Sequence, residues 1–202
     1  MNIFEKYKNK WMKKKLFDKI TDILFYLLII AMIIPGSRTA ITVGVKRVFA
    51  FAPKVISSDQ RETIADNEYY WEMETLNGQR INLVEYAGKT IFLNEWATWC
   101  PPCIAEMPSI EKLYLELKDD KNVTFVIVTN EKKSVVQEFI NKNGYTFPVM
   151  IARSETPAAL FSPSIPTTFV ISPDGEIVLK EVGSKKWHGQ ATVDMIRALY
   201  GR

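Results

Sequence analysis

The distribution of apolar and polar positions divides the chain into a short N-terminal part and a longer patterned part. A run without a polar face, Ile23-Leu24-Phe25-Tyr26-Leu27-Leu28-Ile29-Ile30-Ala31-Met32-Ile33-Ile34, is ended by Pro35-Gly36. Residues 39–52 are mildly apolar with Lys46 and Arg47 at their centre, and read as an interfacial helix or a spacer. Residues 56–67 are polar and read as a linker. From Glu68 the periods change. Glu68–Thr75 and Arg80–Leu83 flank Asn77-Gly78, a hairpin signal. Thr90–Trp96 and Val123–Thr129 are nearly continuous apolar runs, as strands buried on both faces should be. Ile104–Leu117 and Ser134–Asn143 have helical spacing, and Gly144 stops the second. A short strand is expected at Pro148–Ile151. Thr167–Ile171 and Glu176–Val182 flank a Pro173-Asp174-Gly175 turn, and Ala191–Tyr200 closes as a helix. Strands alternating with helices, then a hairpin and a helix, predict an α/β sandwich around a mixed sheet.

Charge refines the N-terminal part. The 202 residues carry a formal net charge of +3, but residues 1–52 contribute +7 and residues 53–202 contribute −4. The basicity therefore gives no support for nucleic-acid binding by the patterned part. Seven lysines (Lys6, Lys8, Lys10, Lys13, Lys14, Lys15 and Lys19) precede the apolar run. Twelve helical residues span only about 18 Å, short of a hydrocarbon core of about 30 Å. Extension back to Leu16 gives nineteen positions and includes Asp18, Lys19 and Asp22, which can snorkel at the interface. We read the run as an uncleaved single-pass anchor. A cleaved signal peptide fits less well, because the nearest small-x-small pattern, Ala50-Phe51-Ala52, lies far beyond the run. A buried helix of the domain fits less well still. The lysines place the N-terminus in the cytoplasm and the domain outside it. The expected organisation is residues 1–36 as basic segment and anchor, 37–66 as linker and 67–202 as the domain.

The candidate chemistry lies between the first buried strand and the first helix. Trp99-Cys100-Pro101-Pro102-Cys103 holds the only two cysteines, spaced C-x-x-C. Cys100 falls at a strand-to-helix corner and Cys103 one turn inside the helix. Unpaired N–H groups and the helix dipole favour a thiolate at Cys100. A thiolate attacks disulfides, and a second thiol three residues on resolves the mixed intermediate. Prolines suit the first helical turn, where a missing donor costs little. A structural disulfide would close too short a loop to constrain the unfolded chain much. A zinc site would need more ligands than two cysteines and the distant His188; we assign His188 no role and expect neither metal nor cofactor. Lys185-Lys186 reads as a solvated loop.

The stretch Trp96-Ala97-Thr98-Trp99-Cys100-Pro101-Pro102-Cys103, with Glu106, Pro108 and Ile165-Pro166-Thr167-Thr168-Phe169, resembles the membrane-anchored TlpA/ResA-like thiol–disulfide oxidoreductases of the thioredoxin superfamily. The resemblance covers roughly residues 66–202. It implies a thioredoxin-like sandwich with a central mixed sheet and an extra N-terminal hairpin, preceded by one transmembrane helix in a bacterial inner membrane, with the domain periplasmic. It also implies that Cys100 attacks, that Cys103 resolves and that Glu106 relays a proton or tunes the thiols. Trp99, Pro101, Pro102, Ile165 and a cis Pro166 would meet the substrate, whose strand would pair near Ile165. The plain alternatives are a surface glutamate near a helix start for Glu106, an ordinary trans turn for Pro166 and plain core for Trp99.

Two positions depart from the superfamily's pattern. Asn94 stands where thioredoxin has a buried aspartate and cannot accept a proton, which leaves that role to Glu106 or water. Glu95 stands where an aromatic is usual. It is either partly solvated or salt-bridged, or a second acid near the site with a raised pKa.

Three function classes follow. The first is a tethered reductase of protein disulfides, serving cytochrome c maturation or envelope thiol homeostasis and drawing electrons from a transmembrane thiol carrier. The second runs the same exchange as oxidant or isomerase. The third is a redox-inactive binding module of a surface assembly.

Overall fold

A computed structural model describes residues 16–33 and 55–200. The basic segment over residues 1–15 and the expected interfacial helix or spacer within residues 34–54 lie outside the described residues. The chain divides into two units, residues 1–42 and 43–202. In the first, Leu16–Ile33 forms helix α1. Its 18 residues extend about 27 Å. They include Asp18, Lys19 and Asp22, and among the described residues no helix is long and apolar enough to cross a membrane.

The second unit is built on one seven-stranded sheet. In chain order its strands are β1 (Glu72–Thr75), β2 (Arg80–Asn82), β3 (Thr90–Glu95), β4 (Val123–Thr129), β5 (Val149–Ala152), β6 (Thr167–Ile171) and β7 (Ile177–Val182). Their spatial order is β2-β1-β5-β4-β3-β6-β7. The central strands β3, β4 and β5 are parallel, and the pairs β1–β2, β1–β5, β3–β6 and β6–β7 are antiparallel. Helix α2 (Pro101–Leu117) connects β3 to β4, and α3 (Lys133–Asn143) lies between β4 and β5. Helix α4 (Gln190–Arg197) follows β7. Both parallel crossovers step the same way along the sheet. The right-handed rule therefore puts α2 and α3 on the same face.

Side-chain alternation along the strands sorts the core into two layers. Phe92, Phe125, Ile127, Val149 and Leu179 point to the helical face, where Met107, Ile110 and Leu113 of α2, Val136 of α3 and Val193 of α4 meet them. Ile91, Leu93, Val126, Val128 and Phe169 point to the other face. That face is closed by irregular chain carrying Ile64, Trp71, Leu83 and Leu160. Both faces of β3 and β4 are covered, which is why their sequences are nearly continuous apolar runs.

The elements differ from expectation at their ends. The Asn77-Gly78 hairpin forms, with Gly78 at φ +90°, but residues Asp66–Tyr69 make a 3-10 turn and the strand begins only at Glu72. Glu68 causes this locally: its carboxylate accepts from the N–H groups of Ala65 (3.1 Å) and Ala159 (2.8 Å), tying two loops together. The larger correction concerns residues 56–64, expected as the end of a linker. Ile56 N–H donates to Val178 O (2.8 Å), Ile64 N–H to Gly175 O (2.9 Å) and Ile177 N–H to Glu62 O (2.8 Å). Ile64 is 3% exposed. This segment is therefore a strap along β7 and belongs to the folded unit.

Candidate active site

Strand β3 ends at Glu95, and the loop Trp96–Trp99 carries the chain to the start of α2. Glu131 holds this loop from across the sheet edge: its carboxylate accepts from Thr98 N–H (2.6 Å) and from the Thr98 hydroxyl (2.8 Å). Cys100 is the N-cap of α2, with Pro101 and Pro102 in the first helical turn. Neither proline has an N–H. Cys103 N–H is consequently the backbone donor directed at the Cys100 sulfur, at 3.3 Å.

Cys100 and Cys103 are joined as a disulfide. Both residues are buried, Cys100 at 4% and Cys103 at 0% exposure. Trp99 beside them is 70% exposed, so it stands at the protein surface and is not part of the core. The Ile165–Pro166 peptide is cis. The carbonyl oxygen of Ile165 lies 3.7 Å from the Cys100 sulfur. The Pro166 carbonyl accepts from Gly183 N–H (2.8 Å), which fixes the loop against β7.

Glu106 lies three residues after Cys103, on the same side of α2. It is 1% exposed, and the surface-glutamate reading is wrong. Its carboxylate accepts from the Trp187 indole N–H (2.9 Å), Lys185 N–H (3.1 Å) and Asn94 Nδ2 (2.8 Å). Burial lifts its pKa to about 7, against the pull of the Trp187, Lys185 and Asn94 hydrogen bonds. Asn94 is buried, also donates to Thr168 Oγ1 (2.8 Å), and leaves its own Oδ1 without a partner. The asparagine in the aspartate's place is thus a donor that supports the Glu106 carboxylate.

The residue sequence reasoning missed is Trp187. The stretch around it reads as a solvated loop, yet Trp187 is fully buried, edge-on to Phe92 with ring centroids 5.2 Å apart. A single large apolar residue inside Lys185-Lys186-Trp187-His188 was the available signal. Lys185 uses its backbone N–H on Glu106 and its ammonium on Glu181 (3.0 Å). His188 is exposed, 3.5 Å from Glu116.

Strand alternation sends Glu95 to the face opposite Asn94. There it lines a cleft of about 320 Å³ together with Trp71, Trp96, Trp99, Phe161 and Ile165. Burial raises the Glu95 pKa to about 7, opposed by a hydrogen bond from Thr156 and by the charge of Lys180. Burial thus raises the pKa of both Glu95 and Glu106 to about 7.

Comparisons with known proteins agree with this geometry. The Redoxin family model matches residues 56–199. The thiol-disulfide oxidoreductase ResA of Halalkalibacterium halodurans is 39% identical over 112 residues, which are 55% of this chain and 64% of that protein. The match thus spans slightly less than two thirds of that relative. A solved structure of a thiol:disulfide interchange protein of the thioredoxin family from Chlorobium tepidum is 25% identical. It covers 72% of this chain and 100% of its own, with a TM-score of 0.57. StoA from Bacillus subtilis, 27% identical, covers 63% of this chain and 93% of its own, with a TM-score of 0.51. A family match over most of the chain, on a thioredoxin-like sheet with a C-x-x-C at the helix start, decides membership: the chain belongs to the Redoxin family, as a ResA-like member of the thioredoxin superfamily.

Proposed function

We propose that this protein is a membrane-tethered thiol–disulfide oxidoreductase that reduces disulfides in proteins outside the cytoplasm. The observation that carries the reading is the Cys100–Cys103 disulfide at the N-terminus of α2, with the Cys100 sulfur beside the Ile165 carbonyl. In the reduced protein the Cys100 thiolate attacks one sulfur of a substrate disulfide. The S–S bond breaks, a mixed disulfide forms, and the departing substrate sulfur takes a proton. Cys103 then loses its proton and attacks the Cys100 sulfur. The second substrate thiol leaves, and two electrons have passed from the cysteine pair to the substrate. Glu106, with a pKa near neutrality, is placed to accept and return the Cys103 proton. Trp99, Pro101 and Pro102 form the surface around Cys100, and the Ile165–Pro166 loop offers a backbone edge to the substrate strand. A dithiol carrier in the membrane returns the pair to the reduced state.

Tethering rests on the lysine-rich start and the apolar run in the sequence. An envelope location is supported by a reactive cysteine pair in a chain with no other cysteine. Maturation of cytochrome c and general upkeep of envelope thiols are the two physiological roles that suit such a reductase.

The direct test uses Cys103→Ser, which removes the resolving thiol. In the full-length chain it accumulates a mixed disulfide with substrate proteins, visible as a mass shift on non-reducing gels and lost on reduction. Cys100→Ser accumulates none. Equal trapping by the two variants, or none by either, contradicts the assigned roles.

A further inference from the structure

The cleft on the Glu95 side of the sheet is the part of the site that this exchange mechanism leaves unused. It runs up to Ile165, whose carbonyl lies beside the Cys100 sulfur, so a chain docked at the disulfide passes its mouth. Its lining combines the exposed rings of Trp99 and Phe161 with the polar side chains of Thr129, Asn130, Thr156 and Ser162, and it holds one carboxyl group, that of Glu95. Thr156 hydrogen-bonds this carboxyl, and no salt bridge reaches it among the described residues. Lys180 is the nearby cation, but its ammonium donates to Phe161 O (3.3 Å) and lies 5.2 Å from the centre of the Phe169 ring. Trp71 and Trp96 are 1% and 2% exposed, and their indole N–H groups have no partner.

The chemistry of these groups selects an occupant. An apolar side chain would cover a carboxylate without pairing it, which is costly. An acidic one would repel it. A lysine or arginine lays its methylene stem on the rings, gains cation–π attraction there and ends in a charge-assisted hydrogen bond. We infer that this cleft is a subsite for a lysine or arginine side chain that the substrate protein carries close to its disulfide, held at its charged end by Glu95. Glu95 is then a specificity-determining residue. The inference rests on the oxidoreductase reading above.

The test is a single-turnover assay with the full-length chain in detergent micelles, reduced beforehand and freed of reductant. The substrates are disulfide-containing peptides that carry lysine, norleucine, glutamine or glutamate at one position, scanned within three residues of the reacting cysteine. At one or two positions lysine exceeds norleucine and glutamine in second-order rate constant by roughly tenfold, the worth of one charge-assisted hydrogen bond, and glutamate is slowest. Glu95→Gln brings the lysine-to-norleucine ratio close to one, and Glu95→Asp keeps part of it. The wild-type series decides the matter even if a variant folds poorly. Exchange at rates indifferent to lysine, an equal preference for glutamine, or a lysine preference that survives Glu95→Gln overturns the subsite and leaves the oxidoreductase reading standing. No exchange with any peptide overturns that reading, and the subsite with it.

Discussion

Glu106 shows how far single residues can be read from sequence and where reading stops. Its place three residues after Cys103 was legible, because helical spacing is a local relation. Its burial was not, because the Trp187 indole that holds it comes from 81 residues further along the chain. Asn94 was legible as a departure, but its role as a donor to Glu106 emerged only with the strand and helix in register. Two tests follow at this scale. Glu106→Ala leaves the Trp187 indole and the Lys185 N–H without a carboxylate, and should destabilise the fold by at least about 2 kcal/mol in urea titration. A change within about 0.5 kcal/mol, as for a surface glutamate, would contradict the geometry. The raised pKa also has a signed consequence. Between the ordinary value of 4.5 and about 7, the folded protein keeps the Glu106 proton that the unfolded chain has lost. The folded state binds more protons there, so this residue's contribution to stability falls as pH rises through that window and is level above it. Glu106→Gln should flatten the stability profile in that range relative to the parent; profiles that stay parallel would refute the shift.

At the scale of elements, the buried strands, three domain helices and both hairpins were readable because each has its own period or turn chemistry. The strap 56–64 was not. Its attachment to β7 runs mainly through backbone groups of Ile56, Glu62 and Ile64, which leave no mark in side-chain composition; the Arg61–Glu176 ion pair (3.0 Å) joins residues far apart in the chain, and only Ile64 is deeply buried. Ile64→Ala should therefore cost about 2–4 kcal/mol, the range for a buried isoleucine, where a free linker would cost nothing measurable. The start of α2 was readable in outline. What the fold adds is that Pro101 and Pro102 remove two first-turn donors, leaving Cys103 N–H facing the Cys100 sulfur. A thiolate there is supported by the dipole and by one near N–H group.

At the scale of the whole molecule, the charge division between a basic N-terminal part and an acidic domain follows the proposed membrane topology. A tether would raise the domain's effective concentration near a membrane-bound electron carrier without any new contact. The direction of electron flow was not legible, because it depends on the relative stability of two redox states. No motif encodes that difference, and the Pro101-Pro102 pair alone does not fix it. The most direct measurement is the reduction potential of the Cys100–Cys103 pair in the full-length chain in detergent. The protein is equilibrated in graded thiol/disulfide buffers and the free thiols are trapped. A reductase should have a potential at or below about −250 mV, in the region of thioredoxin. A potential near about −120 mV, that of a strong oxidant, would reverse the proposed electron flow, and a pair that never exchanges would contradict the account altogether.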